Sequence, residues 1–246
     1  FFLFFSFHDI HVPRLPNKQF QGKSTMGPRG DAIVQMDWIT GKVIEKLEKL
    51  GLAENTLVIF TSDNGPVLND GYEDLAVEKL GNHKPSGPFR GGKYSSFEAG
   101  TRVPMITYWP GTIKPGESNA LVSQIDYYAS LGDLVSQKIT TKEAIDSKNI
   151  KNALLDANGK GRNLMLEEGF TLSLRSNNYK YIAPLQAKKF PAWLKDKKVE
   201  GGFSDKPQLY DLSKDLGEQT NIASKNEALV TKMQAQIDSI VTISNK

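Results

Sequence analysis

Three short segments of the chain contain side chains that could bind a metal ion and an anionic group. The first holds His8 and His11, and the second holds the adjacent pair Asp63 and Asn64. The third places Lys93 directly after two glycines, which let a backbone approach an anion closely. Carboxylate and carboxamide oxygens are ligands that calcium prefers, whereas imidazole and ammonium groups can hydrogen-bond an anion or transfer a proton.

Each segment taken alone also has a simpler explanation. The pair before Gly65 could close a strand as an Asx turn, and a lone lysine in a glycine-rich loop is usually solvated. Two histidines could ligate zinc, but the chain has no cysteine and one further histidine, His83, which lies in an irregular polar loop. That loop could reach the organic part of a substrate or could be plain surface.

The elements around these segments predict where they lie. Residues 1–7 are predicted to form a buried strand, and residues 57–62 form an apolar strand that runs directly into Asp63. Between them a helix is predicted from about Asp31, as its cap, to Leu50, with Gly51 ending it. A crossover of this length favours parallel strands, so the two early histidines are expected at the same sheet edge as the Asp-Asn pair.

The remaining patterns predict two regions. We expect an α/β part in residues 1–150, with part of a mostly parallel sheet flanked by helices. A small antiparallel subdomain with a covering helix is expected in residues 151–246. The predicted elements are a strand over Val103–Trp109, a helix over Ser123–Val135, a hairpin of Phe170–Arg175 and Tyr179–Ile182, a strand over Gln208–Leu212 and a helix over Glu227–Ile240.

Composition narrows the function classes. The 246 residues are 39% hydrophobic and carry a net charge of +3, a near balance that gives no nucleic-acid footprint. A lysine cluster at Lys195, Lys197 and Lys198 reads as solvated surface. The apolar opening segment is too short for a membrane span and lacks the features of a signal peptide. This segment is predicted to be a strand that needs neighbouring elements to bury both of its faces. We therefore interpret the chain as the C-terminal fragment of a longer protein.

Several motifs resemble one family. They are Phe7-His8-Asp9-Ile10-His11-Val12-Pro13, Leu57-Val58-Ile59-Phe60-Thr61-Ser62-Asp63-Asn64-Gly65, Gly92-Lys93 followed by Phe97-Glu98-Ala99-Gly100 and Arg102-Val103-Pro104, and Trp109-Pro110-Gly111. Together they resemble the second half of a type I sulfatase of the arylsulfatase group, in the alkaline phosphatase superfamily. The resemblance covers nearly the whole chain and is strongest in residues 1–125 and 209–222.

The resemblance implies a function and residue roles. It implies a sulfuric ester hydrolase that acts on an aryl sulfate or a sulfated glycan, by a calcium-assisted mechanism with a formylglycine nucleophile. Asp63 and Asn64 match the metal motif, and His11 and Lys93 match catalytic positions around the sulfate. His8 and His83 are candidates for substrate binding, and capping of its own loop is the alternative role for His8. Glu98 and Arg102 are expected to form a structural ion pair.

Two parts of the family pattern are missing from the sequence. No Cys/Ser-X-Pro-Ser-Arg segment supplies the formylglycine, and no Asp-Asp pair completes the calcium shell. The expected partner is therefore the N-terminal half of the same protein, and the chain alone is expected to bind calcium weakly and to be inactive. The family also implies export to a periplasm or secretion.

Two other functions stay open at the level of sequence. A phosphoryl or phosphonate hydrolase of the same superfamily would share the sheet, although its two-zinc members need more histidine and aspartate ligands than this chain offers. A non-catalytic, glycan-binding remnant would keep the scaffold without the chemistry.

Overall fold

A computed structural model of the chain describes residues 1–140, 142–186 and 200–244. The chain divides into two compact units: the first is Phe1–Thr56 with Pro66–Gly87, and the second is Leu57–Gly65 with Pro88–Lys246. The predicted division near residue 150 stays a prediction, and the lysine cluster at 195–198 lies outside the described residues.

The first unit is built around helix α1, Gly27–Lys49, followed by a 3-10 turn at Ala53–Asn55. The helix begins four residues before the predicted cap, with Pro28 in its first turn. The Asp31 carboxylate instead accepts the backbone N–H groups of Gly22 and Ser24, both at 2.8 Å. Asp31 thus folds the preceding loop instead of capping the helix. The predicted C-terminal end is confirmed at Gly51, whose φ of +67° suits glycine.

Residues 1–7 form no strand, so the prediction of a first strand is wrong for this structure. Phe1, Phe2, Leu3, Phe4 and Phe5 are exposed. A strand is stable only when a neighbour pairs with its backbone, and none of the described strands pairs with this segment. The expected parallel pair with the strand before Asp63 is therefore not formed.

The second unit opens with a two-stranded antiparallel sheet. Strand β1, Val58–Thr61, pairs with β2, Met105–Tyr108, so that Thr61 lies opposite Met105. A single-turn helix α2, Glu98–Thr101, precedes β2. The mixed α/β class is confirmed, although this described pairing is antiparallel where a parallel sheet was predicted.

Two further helices follow β2. Helix α3, Tyr127–Leu134, extends a 3-10 turn at Gln124–Asp126, and α4 is Lys151–Leu155. Asp126 is fully buried, and its carboxylate accepts Nε of Arg162 at 2.6 Å and the backbone N–H of Lys148 at 2.8 Å. One carboxylate therefore holds three chain segments together.

A four-stranded antiparallel sheet forms the rest of the second unit. Its strands are in sequence order: β3 Leu164–Glu168, β4 Leu172–Ser176, β5 Tyr179–Ile182 and β6 Gln208–Asp211, followed by helix α5, Glu227–Ser244. The predicted hairpin, last strand and closing helix are confirmed, whereas β3 was not predicted. None of the described helices combines the length and apolar character needed to cross a membrane.

The two faces of this sheet differ because side chains alternate along each strand. Leu174, Tyr181 and Leu209 are paired across β4, β5 and β6 and pack against Met233 and Ile237 of α5. The opposite face is more polar. Besides Ile182 and Tyr210, which pack with Phe97, it includes Glu167, Ser173, Arg175, Lys180 and Gln208.

Candidate functional site

Asp63 and Asn64 lie immediately after β1, as the sequence predicted. Asp63 is exposed, with Oδ1 lying 3.5 Å from Oγ of Ser62. Nδ2 of Asn64 donates to the carbonyl oxygen of Gly65 at 2.9 Å, which fixes the amide plane. Ser62 Oγ also donates to the carbonyl of Asn64 at 3.2 Å, and Gln124 Nε2 donates to the carbonyl of Ser62. The strand end is thus a hydrogen-bonded turn that presents two side-chain oxygen donors.

This turn is packed tightly against α2. The Gly65 N–H donates to the carbonyl of Gly100 at 2.9 Å, and a β-carbon added at Gly65 would lie 1.7 Å from the carbonyl oxygen of Ala99. Real β-carbons do not approach backbone this closely, so the position requires glycine. The glycine after Asn64 therefore holds the turn against α2, beyond any role as a turn residue.

Lys93 lies in a compact loop that contacts the same helix. The Ser95 N–H donates to the carbonyl of Gly92 at 2.9 Å, and Lys93 Nζ lies 5.3 Å from the centre of the Tyr94 ring. A β-carbon added at Gly91 would lie 2.3 Å from Ser95 Oγ. Close packing within the loop thus explains the first of the two glycines before the lysine, Gly91.

Helix α2 supports both the Asp63-Asn64 turn and the lysine loop. Gly100 accepts the bond from Gly65, and a β-carbon added at Gly100 would lie 3.0 Å from the carbonyl oxygen of Gly92. The Ala99 N–H donates to the carbonyl of Arg90 at 3.0 Å, which joins the helix to the chain just before the lysine loop. The structure therefore brings the predicted metal and lysine segments together around one short helix.

A buried ionic cluster holds α2 against the four-stranded sheet. Oε2 of Glu98 accepts Arg175 at 2.5 Å and Arg102 at 3.2 Å, and Oε1 lies 3.3 Å from Lys180 Nζ. Burial alone would raise the pKa of Glu98, but these three cations together lower it. Glu98 is thus an ionised anchor under the site, and its predicted pairing with Arg102 is confirmed.

Lys180 completes the cluster from the sheet side. Its side chain is fully buried and bonds the carboxylate of Glu167, whose other oxygen accepts Thr101 Oγ1 of α2 at 2.9 Å. Burial alone would lower the pKa of Lys180, but Glu167 and Glu98 outweigh it and raise the pKa. The cluster therefore joins both ends of α2 to the sheet.

The two early histidines share one turn in the first unit. The His11 N–H donates to the carbonyl of His8 at 3.1 Å, both side chains are exposed, and the Val12-Pro13 peptide bond is cis. Nδ1 of His11 lies 2.8 Å from the carbonyl oxygen of Val12. A carbonyl oxygen can only accept a hydrogen bond, so Nδ1 carries the hydrogen. Nε2 is therefore the ring nitrogen that remains for hydrogen bonding or proton transfer.

Arg14 holds this histidine turn in place. The residue is buried, and its Nε donates to the carbonyl of Ile10 at 3.0 Å. Its other nitrogens bond Asp74 at 2.6 Å and the carbonyl of Val67 at 3.3 Å. The turn is therefore anchored by a buried guanidinium to the segment after residue 66.

His83 lies in an exposed turn of the first unit, where its N–H donates to the carbonyl of Leu80 at 3.3 Å. The structure thus pairs His8 with His11 in one unit and gathers Asp63, Asn64 and Lys93 around α2 in the other. All six positions remain predictions as site residues.

The donor set of the second unit fits part of a calcium site. Asp63 and Asn64 offer hard oxygen donors on a fixed turn, the chemistry that calcium prefers. Within the described residues, no group of three or more His, Asp or Glu side chains is placed to hold a metal ion. Because calcium takes roughly six to eight oxygens, these two residues could supply only a minority of its shell.

Sequence reasoning gave no role to Glu218 and Arg90, which support this arrangement. Arg90 donates through NH1 to the carbonyl of Glu218 at 2.8 Å, and the Glu218 carboxylate accepts the backbone N–H of Glu98 at 2.7 Å. The available signal was the cluster of Asp215, Glu218 and Asn221 after the last strand. These residues lie in the range 209–222, where the family resemblance is strong, but the sequence could not show which helix the Glu218 carboxylate contacts.

Comparison with known proteins places this arrangement in a family. A sulfatase family model matches residues 1–137, which is more than half of the chain. The chain belongs to the sulfatase family. Among curated proteins, this sulfatase-family chain is 43% identical to an N-acetylgalactosamine-6-O-sulfatase of Bacteroides thetaiotaomicron, over 98% of the chain and 47% of the relative. The predicted resemblance to a type I sulfatase is confirmed.

Solved structures agree with this membership. A structure from work on the metabolism of multiple glycosaminoglycans by Bacteroides thetaiotaomicron superposes with a TM-score of 0.91 at 43% identity, covering 96% of this chain and 49% of that one. A sulfatase from a Pseudoalteromonas species gives a TM-score of 0.75 at 27% identity, covering 95% and 46%. The chain spans about half the length of the curated relatives it matches.

Proposed function

We propose that the protein to which this chain belongs hydrolyses a sulfate ester, and that this chain contributes part of the metal site and of the sulfate pocket. The observation that carries the proposal is the joint packing of the Asp63-Asn64 turn and the Lys93 loop on α2 in a sulfatase-family chain. The remaining calcium ligands and the formylglycine are proposed to come from residues outside this sequence.

Asp63 and Asn64 are the residues that would hold calcium. When bound there, the ion would supply positive charge that stabilises negative charge on the sulfate oxygens. The hydrogen bond from Asn64 Nδ2 to the Gly65 carbonyl orients the amide, so that its oxygen faces away from the backbone it bonds. A fixed turn of this kind lowers the ordering cost of binding the ion.

Lys93 and His11 are proposed to act on the sulfate group, Lys93 through its charge and His11 by proton transfer. The Lys93 ammonium would neutralise charge that develops on a sulfuryl or bridging oxygen as the ester bond breaks. His11 has Nδ1 committed to the Val12 carbonyl, so Nε2 is the atom that accepts a proton when neutral and donates one when charged. His8 and His83 are proposed to contact the organic part of the substrate.

The substrate class we propose is a sulfated glycan, and 6-O-sulfated N-acetylgalactosamine is the first compound to test. Support comes from the name of the relative that is 43% identical over nearly the whole chain. Export to a periplasm or to the cell exterior is proposed on the same kinship.

The test is a chimera that joins the unmatched part of the Bacteroides thetaiotaomicron relative to this chain. We expect the chimera to release sulfate from 6-O-sulfated N-acetylgalactosamine and to lose activity on chelation of calcium. Lys93→Ala should lower kcat by roughly a hundredfold or more, the usual effect of removing one group that stabilises developing charge. Exposed Lys114 provides the matched control, and Lys114→Ala should leave the rate unchanged.

Three results would overturn this proposal. The first is a chimera that binds calcium yet cleaves a phosphate ester faster than any sulfate ester. The second is a folded chimera that binds a sulfated glycan without turnover, as a non-catalytic remnant would. The third is a Lys93→Ala variant as active as the parent chimera.

A further inference from the structure

Glu218 is a fully buried carboxylate that touches the supports of the candidate site. Its Oε2 accepts the backbone N–H of Glu98, the first residue of α2, at 2.7 Å. Its own carbonyl oxygen accepts NH1 of Arg90 at 2.8 Å. Its φ of +50° is uncommon for a residue with a side chain. One residue of the C-terminal loop thus binds both the start of α2 and the chain before the lysine loop.

The far end of α2 touches the proposed metal ligands. Gly100 accepts the N–H of Gly65, which follows Asn64 directly, and the carbonyl oxygen of Ala99 leaves no room for a β-carbon at Gly65. Because α2 is a single turn, a displacement of its first residue also displaces its last. A shift at Glu98 would therefore move the turn that carries Asp63 and Asn64.

Arg90 provides the second connection. Besides its bond to Glu218, its guanidinium bonds Glu200 at 2.7 Å and lies 4.2 Å from the centre of the Phe97 ring. Its carbonyl accepts the N–H of Ala99 at 3.0 Å. Since Arg90 stands three residues before Lys93, its placement also sets where the lysine loop begins.

We propose that Glu218 is a positioning residue of the candidate site, which fixes α2 and Arg90 and, through them, the Asp63-Asn64 turn and the Lys93 loop. The proposal rests on the proposed function for its catalytic meaning. None of the described hydrogen bonds of Glu218 involves Asp63 or Asn64, so it acts through α2 and Arg90. The C-terminal loop is thereby a working part of the site.

The first test is amide hydrogen exchange in the 246-residue chain, which needs neither metal nor substrate. Glu218→Ala removes the acceptor of the Glu98 N–H, and we expect the Gly65 amide to exchange roughly tenfold faster, the factor for loss of one strong hydrogen bond. Glu218→Gln keeps an acceptor oxygen of the same length and should restore most of the protection. Glu218→Asp, shorter by one methylene, should fall between the two and serves if the alanine variant does not fold.

Leu174→Ala is the matched control for general destabilisation, because Leu174 lies on the other face of the sheet. It should speed the Gly65 amide and the amides paired between β4 and β5 by the same factor. Glu218→Ala should instead speed Gly65 relative to those sheet amides. The proposal would be overturned if Glu218→Ala, like Leu174→Ala, speeds exchange of the Gly65 amide and of the sheet amides by the same factor. It would also be overturned if Glu218→Gln protects the Gly65 amide no better than Glu218→Ala does.

The second test uses the active chimera. Glu218→Ala should weaken calcium binding, measured by titration calorimetry, and lower kcat more than it raises KM, with rescue by Glu218→Gln. An inactive chimera in which the exchange pattern still holds would count against the proposed function alone. If the active chimera keeps the same calcium affinity and kcat after Glu218→Ala, the positioning role is overturned.

Discussion

The two faces of the four-stranded sheet use the same strands for different purposes. On one face, Leu174, Tyr181 and Leu209 pack against α5 without a charge among them. On the other, Arg175 and Lys180 bond carboxylates that reach back to α2. Apolar packing is non-directional, whereas ion pairs and hydrogen bonds demand fixed geometry. The apolar face therefore stabilises the fold, and the ionic face sets the position of a helix that carries the candidate site.

The largest effect should come from the ionic face. Lys180→Met would leave the carboxylates of Glu98 and Glu167 buried without their central cation. Glu98 would keep Arg175 and Arg102, but Glu167 would lose the cation that it bonds. We expect the free energy of unfolding to fall by about 3–5 kcal/mol, because a buried charge that has lost its partner is costly. Urea denaturation measures the loss.

The control for that variant is Lys214→Met, which removes a lysine whose side chain is 82% exposed and pairs with Asp211. That substitution should cost less than about 1 kcal/mol. If Lys180→Met is as stable as the parent chain, the ionic face does not hold α2 in position as its contacts imply.

A somewhat smaller effect is expected from the apolar face. Leu174→Ala opens a cavity at a fully buried position, and we expect a loss of roughly 2–4 kcal/mol in the free energy of unfolding. The loss should be the same at low and high salt, because it involves no charge. A strong dependence on salt would show that the two faces are not separable.

The smallest of the three effects concerns pH and Glu218. Burial raises the pKa of Glu218 to about 7, with Glu98 and Glu167 adding to the rise and Lys180 opposing it. The charged or titratable groups that interact with Glu218 come from five elements or loops; they are Glu98, Glu167, Lys180, Tyr210 and Arg90. A carboxyl with a raised pKa contributes stability that is complete below about pH 4.5 and is lost as the pH rises through about 7.

Glu218→Gln removes this titration and keeps the side-chain length. The difference in unfolding free energy between the glutamine variant and the parent should therefore grow in favour of the variant by roughly 2 kcal/mol from pH 5 to pH 8. Denaturation at a series of pH values measures it. If the difference in unfolding free energy stays constant across that range, Glu218 does not titrate at the pH values that its burial implies.

Sequence patterns predicted those elements whose signals are local. Apolar residues that recur at about 3.6-residue spacing predict α1, and two adjacent asparagines, Asn177 and Asn178, predict the turn of the β4–β5 hairpin. Such patterns need no distant partner. Strand β3 escaped prediction because Glu167 sits inside it, and only the structure shows that Lys180 balances this charge. The predicted first strand is not formed because an apolar run becomes a strand only when another strand pairs with its backbone. The run itself does not show whether such a partner is present.

The candidate site divides in the same way. Asp63, Asn64 and Lys93 stand out in sequence because a strand end and a glycine pair are local signals. Glu218 lies more than a hundred residues from Lys93, so only the fold shows that its carboxylate supports the same helix. The antiparallel partner of β1 was likewise hidden, because strand direction depends on which segment is adjacent and not on composition.

The carboxylate of Asp126 has a consequence for how the chain would respond to cutting. It binds the backbone of Lys148 and the guanidinium of Arg162 at once, from a fully buried position. A protease nick between these two residues would leave both new ends attached to the same anion. We expect the nicked protein to migrate as one species on a sizing column and to separate into pieces only in denaturant.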